Sequence, residues 1–446
     1  MPRRTLTPKA WRFRPSNSLV MHRRCSEHHR GSSVSTGAGA MAALASVAIV
    51  AAFAAAALQL LIVGVTGAAG FMAATLGAST WAVVFGMVLV VGNAWTLQLL
   101  RAQTPYGLVT FVEQACCGFS HWQVKTGFCS ALMGALNFGA GLGVGKEGPA
   151  IVLATTVSVW IRRRTPWLLD HRLATIAAVS AAVSAMFGMP FSAIVLALEL
   201  LRAFPSRSSA VAALLGSAAG VLVHALLLDS TGPTGWGVAY SPVLPGQAFL
   251  TGVMLGVVSA GFTWMCTAIT LVWNTTPRVR SPARAALAIG VNVAAWIAFW
   301  PLSAPIDTRL HHVLMGNAPS TAQGELLLLA APLLIAAVCL RSSVAGGYFS
   351  PVMLGGAMAG AFFAVETGAP AESGALLGMG AAVAGVLRLP IYAVVFVVEM
   401  IGSLQPTVPM SIACLASWLS ARCLHSAGVL GHRPKRSAIT TAEKTT

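Results

Sequence analysis

Long apolar runs alternate with short polar breaks along most of this chain. The first two runs cover residues 41–65 and about 71–100, and a more polar stretch at 101–125 separates them from the rest. Several of the later runs are shorter than the ~20 helical residues that cross a bilayer, and many contain glycine or proline. This pattern predicts an all-α integral membrane protein with broken helices. The later runs lie near 126–144, 150–161, 173–187, 190–202, 208–228, 246–274, 284–303, 325–340, 350–365, 374–388, 391–402 and 407–424.

An internal repeat divides the apolar region. Residues 181–199, AAVSAMFGMPFSAIVLALE, align without a gap with residues 381–399, AAVAGVLRLPIYAVVFVVE, and GKEGPAIVLA at 145–154 corresponds to GYFSPVMLGG at 347–356. Chance similarity among apolar segments is the alternative, but the shared order of glycine, proline and glutamate favours duplication. We therefore expect an N-terminal tail at 1–40, half-repeats at 41–245 and 246–425, and a short C-terminal tail at 426–446.

Composition and charge support a membrane protein. Only 9% of the 446 residues are charged, against about 25% in soluble domains. The formal net charge is +16, and basic residues crowd both ends of the chain. That distribution follows the positive-inside bias, so both tails are expected in the cytoplasm and nucleic-acid binding is not. The eight cysteines form no CxxC pair, and the sequence predicts neither a metal site nor a cofactor.

The sharpest candidate chemistry lies at residues 143–150, GVGKEGPA. The glycines free the backbone to turn, and Pro149 suits the first turn of a helix. A helix that begins here presents unpaired N–H groups and the positive end of its dipole, which bind an anion without a full charge. The predicted donors are the backbone amides of Gly145, Lys146, Glu147 and Gly148.

The second half offers a matching turn, GGYFSP at 346–351. Two glycines precede the turn and Pro351 follows it, so a second helix start is expected. Two such starts that meet near the bilayer midplane would replace the water around an anion with N–H groups. The predicted donors in this half are the amides of Gly347, Tyr348, Phe349 and Ser350.

Glu147 is the residue that we expect to gate. A carboxylate is itself an anion, so the ionised side chain can occupy the amide-lined position and exclude chloride. The protonated side chain must leave that position and open the path. The plain alternative is an ion pair with Lys146 or a distant arginine, because a buried carboxylate otherwise costs several kcal/mol.

These residues resemble the CLC family of chloride channels and chloride–proton antiporters. GKEGP is similar to the family's G(K/R)EGP motif and GYFSP to its GxFxP motif, and the likeness covers about residues 100–424. The resemblance implies an inverted repeat of tilted, broken helices, a homodimer with one pore per subunit, and a gating role for Glu147. It also favours a compact bacterial form in the inner membrane.

The chain departs from the family pattern in ways that bear on mechanism. In place of the family's GSGIP motif, whose serine contacts the anion, it has TPYGLVTF at 104–111. Tyr106 falls nearest that serine, and an interfacial aromatic is its alternative role. The family often has a tyrosine after its last helix that closes the inner side of the pathway, but residues 425–446 of this chain contain no tyrosine. Proton-coupled members carry a second acid directly after the position of Glu199, where this chain has Leu200.

The expected function is therefore passage of chloride or a similar small inorganic anion, not catalysis, with channel-like or weakly proton-coupled flow. A proton-coupled chloride antiporter of the same family is one alternative. An inverted-repeat transporter for another small solute is a second, although it would need more polar side chains in the membrane. A scaffold without transport is a third, and the cost of burying Glu147 counts against it. Glu199 and Glu399 are expected in structural roles at helix ends.

Overall fold

The computed structural model describes residues 38–100, 105–116, 119, 122–165, 170–203, 206–228, 238, 240–275, 281–298, 306–316 and 322–426. These residues fall within one unit, 34–430, and most of both predicted tails lies outside them. The helices before residue 240 are α1 (Ala38–Leu76), α2 (Ala78–Leu99), α3 (Leu108–Cys116), α4 (Val124–Gly139), α5 (Glu147–Arg162), α6 (His171–Phe187), α7 (Pro190–Leu200) and α8 (Arg207–Leu227). The later ones are α9 (Pro245–Thr275), α10 (Ser281–Ala298), α11 (Ile306–Leu314), α12 (Ala322–Arg341), α13 (Phe349–Glu366), α14 (Ala371–Leu387), α15 (Pro390–Ile401) and α16 (Thr407–Ser426).

Long and short helices occur together, as the apolar pattern predicts. Within the described ranges, five helices are long and apolar enough to cross a bilayer: Gly39–Leu76, Arg207–Leu227, Pro245–Thr275, Phe349–Glu366 and Thr407–His425. The eleven residues of α7 are too few to span it alone. The predicted end of the first apolar run at residue 65 is wrong, because α1 continues to Leu76. No proline interrupts that stretch, and an apolar surrounding offers its backbone no better partner than the helix itself.

The internal repeat extends over four consecutive helices. α5 to α8 begin at residues 147, 171, 190 and 207, and α13 to α16 begin at 349, 371, 390 and 407, so each pair starts 200 or 202 residues apart. The breaks match as well, since α6 and α14 both end in a left-handed residue, Gly188 with φ 66° and Arg388 with φ 60°. Arginine rarely adopts this conformation, which costs ~1–2 kcal/mol. The left-handed conformation is nevertheless present at the matching position of both halves, which supports duplication over chance similarity.

Glu399, near the end of α15, caps the start of α7. Its carboxylate accepts hydrogen bonds from the backbone N–H groups of Phe191 (3.0 Å) and Ser192 (2.6 Å). The Ser192 hydroxyl donates a third bond at 2.5 Å. These amides would otherwise be unpaired, because they belong to the first turn of a helix.

Glu199, near the end of α7, makes the matching contact with α15. Its carboxylate accepts from the backbone N–H groups of Ile391 (3.3 Å) and Tyr392 (2.7 Å). Each helix therefore places an acid at the positive end of the other, and the two helices run antiparallel. We call Glu199, Glu399 and the four amides that they bind the reciprocal clasp. It joins equivalent helices of the two halves in the opposed orientation that an inverted repeat requires.

The centre of the molecule is made by the equivalent helices α6 and α14. Nearly every residue of both is buried. α5 packs beside α6, and α13 packs beside α14, so the two helices that carry the candidate motifs rest on this core. The division into halves at residue 245, where α9 begins, stays a prediction.

Candidate functional site

Both candidate turns begin helices, as predicted. α5 starts at Glu147 and α13 starts at Phe349, and in each helix the proline is the third residue. Pro149 and Pro351 occupy positions where a backbone N–H would have no partner within the helix. Each motif therefore forms the N-terminus of a helix, and the first backbone N–H groups of that helix have no partner within it.

The two turns meet directly through their backbones. The Gly145 N–H donates to the Gly347 carbonyl at 2.6 Å, and the Gly347 N–H donates to the Gly145 carbonyl at 2.9 Å. The approach is so close that a Cβ on Gly148 would lie 2.7 Å from the Gly347 Cα. Only glycine fits such contacts. Because these two N–H groups bond to each other's turn, the predicted donors that remain are the amides of Lys146, Glu147, Gly148, Tyr348, Phe349 and Ser350.

The Glu147 carboxylate lies between the two turns. The side chain is buried, with 4% exposed, and the Ser350 hydroxyl donates to its two oxygens at 2.6 and 2.8 Å. A Cβ placed on Gly145 would fall 2.7 Å from Glu147 Oε2, 3.0 Å from the Ser350 nitrogen and 3.3 Å from the Phe349 nitrogen. One carboxylate oxygen of Glu147 and these two backbone nitrogens of the opposite helix therefore crowd around the same point beside Gly145.

Lys146 forms its ion pair with an acid other than Glu147. Its ammonium lies 2.5 Å from Asp307 Oδ2, in the first turn of α11. It also lies over two aromatic rings, 5.7 Å from the centre of Phe138 and 5.3 Å from that of Phe187. The sequence reasoning did not identify Asp307. The available signal was an acid at the start of a short amphipathic segment, but nothing local linked it to a lysine 161 residues away.

Tyr106 lies beside the second turn, and its hydroxyl is already engaged. A Cβ on the next residue, Gly107, would lie 3.5 Å from the Gly346 carbonyl oxygen, so this segment borders the site. The Tyr106 hydroxyl accepts a hydrogen bond from the Gln123 N–H at 3.1 Å, and its ring packs 4.4 Å from that of Trp122. A phenol that accepts one bond still has a proton to donate, and its contact with an anion stays a prediction.

Leu200 is buried at the end of α7. Its neighbour Glu199 is bound in the reciprocal clasp, which is the structural role expected for it. Position 200, where the family resemblance implies an acid in a proton-coupled protein, therefore holds an apolar side chain beside a carboxylate that is already bonded.

Tyr392 is a site neighbour that the sequence reasoning missed. It is fully buried, and its ring centre lies 5.6 Å from that of Phe349, the first residue of α13. It also lies within electrostatic range of the Glu147 carboxylate. In the sequence it stands within an apolar repeat segment, where nothing separates it from a packing residue.

Among the residues that the structure describes, no three or more His, Cys, Asp or Glu side chains come together where they could hold a metal ion.

Comparison with protein families gives a match to most of the chain. Residues 94–422 match the family described as voltage gated chloride channel. This range contains both helix starts, the reciprocal clasp and the Lys146–Asp307 pair.

Curated relatives align over a smaller part. The H(+)/Cl(-) exchange transporter ClcA of Cronobacter sakazakii is 34% identical over 108 residues, which are 23% of this chain and 22% of that protein. ClcA of Citrobacter koseri is 31% identical over 121 residues, or 26% of this chain and 24% of that protein. Each alignment therefore spans less than a quarter of the relative.

Solved structures resemble the whole fold. A slow cyanobacterial Cl−/H+ antiporter has a TM-score of 0.74 at 17% identity and covers 87% of this chain and 96% of its own. A eukaryotic CLC transporter has a TM-score of 0.71 at 19% identity, covering 88% and 74%. A CLC-type fluoride/proton antiporter has a TM-score of 0.71 at 16% identity, covering 86% and 95%. These likenesses establish the all-α architecture that the sequence predicts.

Proposed function

The chain belongs to the voltage-gated chloride channel family, and from this premise we propose that it carries chloride or a similar small inorganic anion across a membrane, past a site that Glu147 opens and closes. The observation that carries the proposal is the place of the Glu147 carboxylate. It is buried between two helix N-termini, where its Oε2 and the Phe349 and Ser350 nitrogens crowd around the same point beside Gly145. A carboxylate held there stands where a permeating anion would bind.

Such a site can bind an anion weakly enough to release it again, as transport requires. Backbone N–H groups and helix dipoles offer partial positive charges, which offset the loss of water around an anion. A full positive charge in a buried site would hold the anion too tightly for it to leave. Lys146, the nearest cation in the motif, is neutralised by Asp307. The transport step therefore involves dehydration and release and makes no covalent bond.

Protonation of Glu147 is the switch in this proposal. The ionised carboxylate competes with an anion for the same donors, and the neutral acid loses most of that attraction. Lower pH should therefore open the path. The Ser350 hydroxyl, which donates to both carboxylate oxygens, holds the ionised side chain in its blocking position.

Proton coupling distinguishes the two candidate functions, channel-like flow and coupled antiport. We favour channel-like or weakly coupled flow, because Leu200 provides no inner proton acceptor and Glu199 is bonded to the amides of Ile391 and Tyr392. Coupled antiport is the second candidate, and the names of the two ClcA relatives support it. Tyr106 remains a proposed side-chain contact for the anion.

The setting of this activity is a bacterial inner membrane, with both termini in the cytoplasm and two chains per assembly. Apolar side chains on the two helices of the clasp are exposed, with Phe191 67% exposed and Ile391 62% exposed. Such surfaces need lipid or another protein chain to cover them.

Efflux from reconstituted vesicles tests the proposal. Vesicles loaded with chloride, with the membrane potential clamped, should release chloride faster as the pH falls when they contain the wild-type protein. Glu147→Gln keeps the size of the side chain and removes its titration, so its efflux should be fast at every pH. Absence of wild-type efflux across the pH range would exclude anion transport. A Glu147→Gln protein that keeps the wild-type pH dependence would exclude the gate.

A further inference from the structure

The ion pair between Lys146 and Asp307 lies directly beside the gate residue and joins two distant parts of the chain. Lys146 precedes Glu147 in the first motif, and Asp307 lies in the first turn of the short helix α11. Building on the proposed function, we propose that Asp307 is a positioning residue that sets the pH at which Glu147 opens, by neutralising Lys146 and holding its ammonium away from the gate.

The geometry fixes where the lysine charge lies. The ammonium is 2.5 Å from Asp307 Oδ2 and rests on the faces of Phe138 and Phe187. Cation–π contacts of this kind contribute more when water is excluded, and Lys146 is 7% exposed. The two rings and the carboxylate together leave the side chain little freedom to turn toward Glu147.

Charge near Glu147 is poorly screened. Glu147 is 4% exposed, and both Lys146 and Asp307 lie within electrostatic range of its carboxylate. An unpaired lysine would stabilise the ionised, blocking form of Glu147, whereas the negative charge of Asp307 opposes that effect. With the pair intact, the charge of Asp307 offsets part of the effect of Lys146. The gate can then be neutralised at a higher pH than it could beside a bare lysine.

Other groups near the pair and the gate define what the experiment must control. Asp307 lies in the first turn of α11. α11 packs against α13 and α14, and the gate faces Ser350 of α13 and Tyr392 of α15. The further charged or titratable residues on these elements are Arg309, His311 and His312 on α11, Glu366 on α13, Glu372 on α14 and Glu399 on α15.

A purely structural role is the competing explanation, in which the pair only anchors α11. Asp307 is partly exposed, with 36% of its side chain accessible, so the anchor is not deeply buried. A lost anchor would lower the amount or stability of the protein and leave the pH profile of the remaining efflux in place. The pH at half-maximal efflux therefore separates the two roles.

The test measures that pH in chloride-loaded vesicles for Asp307→Asn and for Asp307→Ser. Both variants remove the charge with different side-chain shapes, so the measurement stands if either one folds. Removing one negative charge at this range should move the half-maximal pH toward acid by on the order of one pH unit. Asp307→Glu should restore the wild-type value. Glu372→Gln is the matched control, because Glu372 lies in the first turn of α14, close to Gly316 just beyond the end of α11.

The same variants made together with Glu147→Gln show whether the effect passes through the gate. We expect Glu147→Gln with Asp307→Asn to give efflux that is flat with pH. A wild-type half-maximal pH in Asp307→Asn, or a shift toward alkaline pH, would overturn this inference while the gate itself stands. If Glu147→Gln alone keeps the wild-type pH dependence, then the proposed gate fails and the inference fails with it.

Discussion

The reciprocal clasp gives a sharp prediction about stability. Glu399→Gln changes one carboxylate oxygen to an NH2 group and leaves the shape of the side chain almost the same. In the wild type, Glu399 accepts three hydrogen bonds, two from the Phe191 and Ser192 amides and one from the Ser192 hydroxyl. In the variant, one end of the side chain becomes a donor that faces other donors.

The cost follows from those contacts. A hydrogen bond to a charged group contributes ~1.5–3 kcal/mol, and an orphaned buried donor costs ~1–3 kcal/mol. Loss of the negative charge at a helix N-terminus adds ~0.3–1 kcal/mol. Since at least one bond and the charge are lost together, we expect Glu399→Gln to lower the free energy of unfolding by ~2–4 kcal/mol. Glu199→Gln loses only backbone contacts and should cost somewhat less.

The assay is unfolding of the purified protein in detergent by urea, followed by tryptophan fluorescence. Glu366→Gln is the control, because it removes the same charge from an exposed position at the end of α13. The two clasp variants together should cost less than the sum of the single effects, since both act on the contact between α7 and α15. Equal stability of Glu399→Gln and Glu366→Gln would refute this account of how the halves are joined.

Three further predictions concern the site. Gly148→Ala places a methyl group against the backbone of the other turn. This variant should destabilise the protein by ~1–3 kcal/mol and abolish efflux. The control Gly261→Ala places its methyl group in open space and should keep the unfolding and the flux of the wild type. Ser350→Ala removes the hydroxyl that holds the ionised Glu147, so half-maximal efflux should shift to higher pH by about one pH unit; an unchanged or acid-shifted profile contradicts this. A chloride gradient across vesicles should move few protons uphill, measured by external pH, and robust proton pumping would show that the interpretation of Leu200 is wrong.

Local signals were sufficient to predict the elements of the site. Glycine and proline around residues 145–149 and 347–351 mark two helix starts, and the structure confirms both, at Glu147 and Phe349. The 200-residue repeat predicts matching helices, and the structure adds the pair α8 and α16 to them. These features depend on short segments whose backbone preferences are strong.

Contacts across the chain were not predictable in the same way. The pairing of Gly145 with Gly347 uses up two amides that were expected to face the anion. The partner of Lys146 lies on a helix outside both motifs, and the acids of the clasp bond to helices about 200 residues away. A single sequence carries no signal for such pairs, because each depends on how the halves pack.

Anomalous diffraction from crystals soaked in bromide tests the central claim most directly. In the proposed mechanism, the Glu147 carboxylate occupies an anion position between the two helix starts. Glu147→Gln crystals should show bromide within hydrogen-bonding distance of the Phe349 and Ser350 amides, and wild-type crystals at neutral pH should show the carboxylate there instead. Bromide at that position beside an undisplaced wild-type carboxylate, or its absence there in Glu147→Gln, would contradict the account.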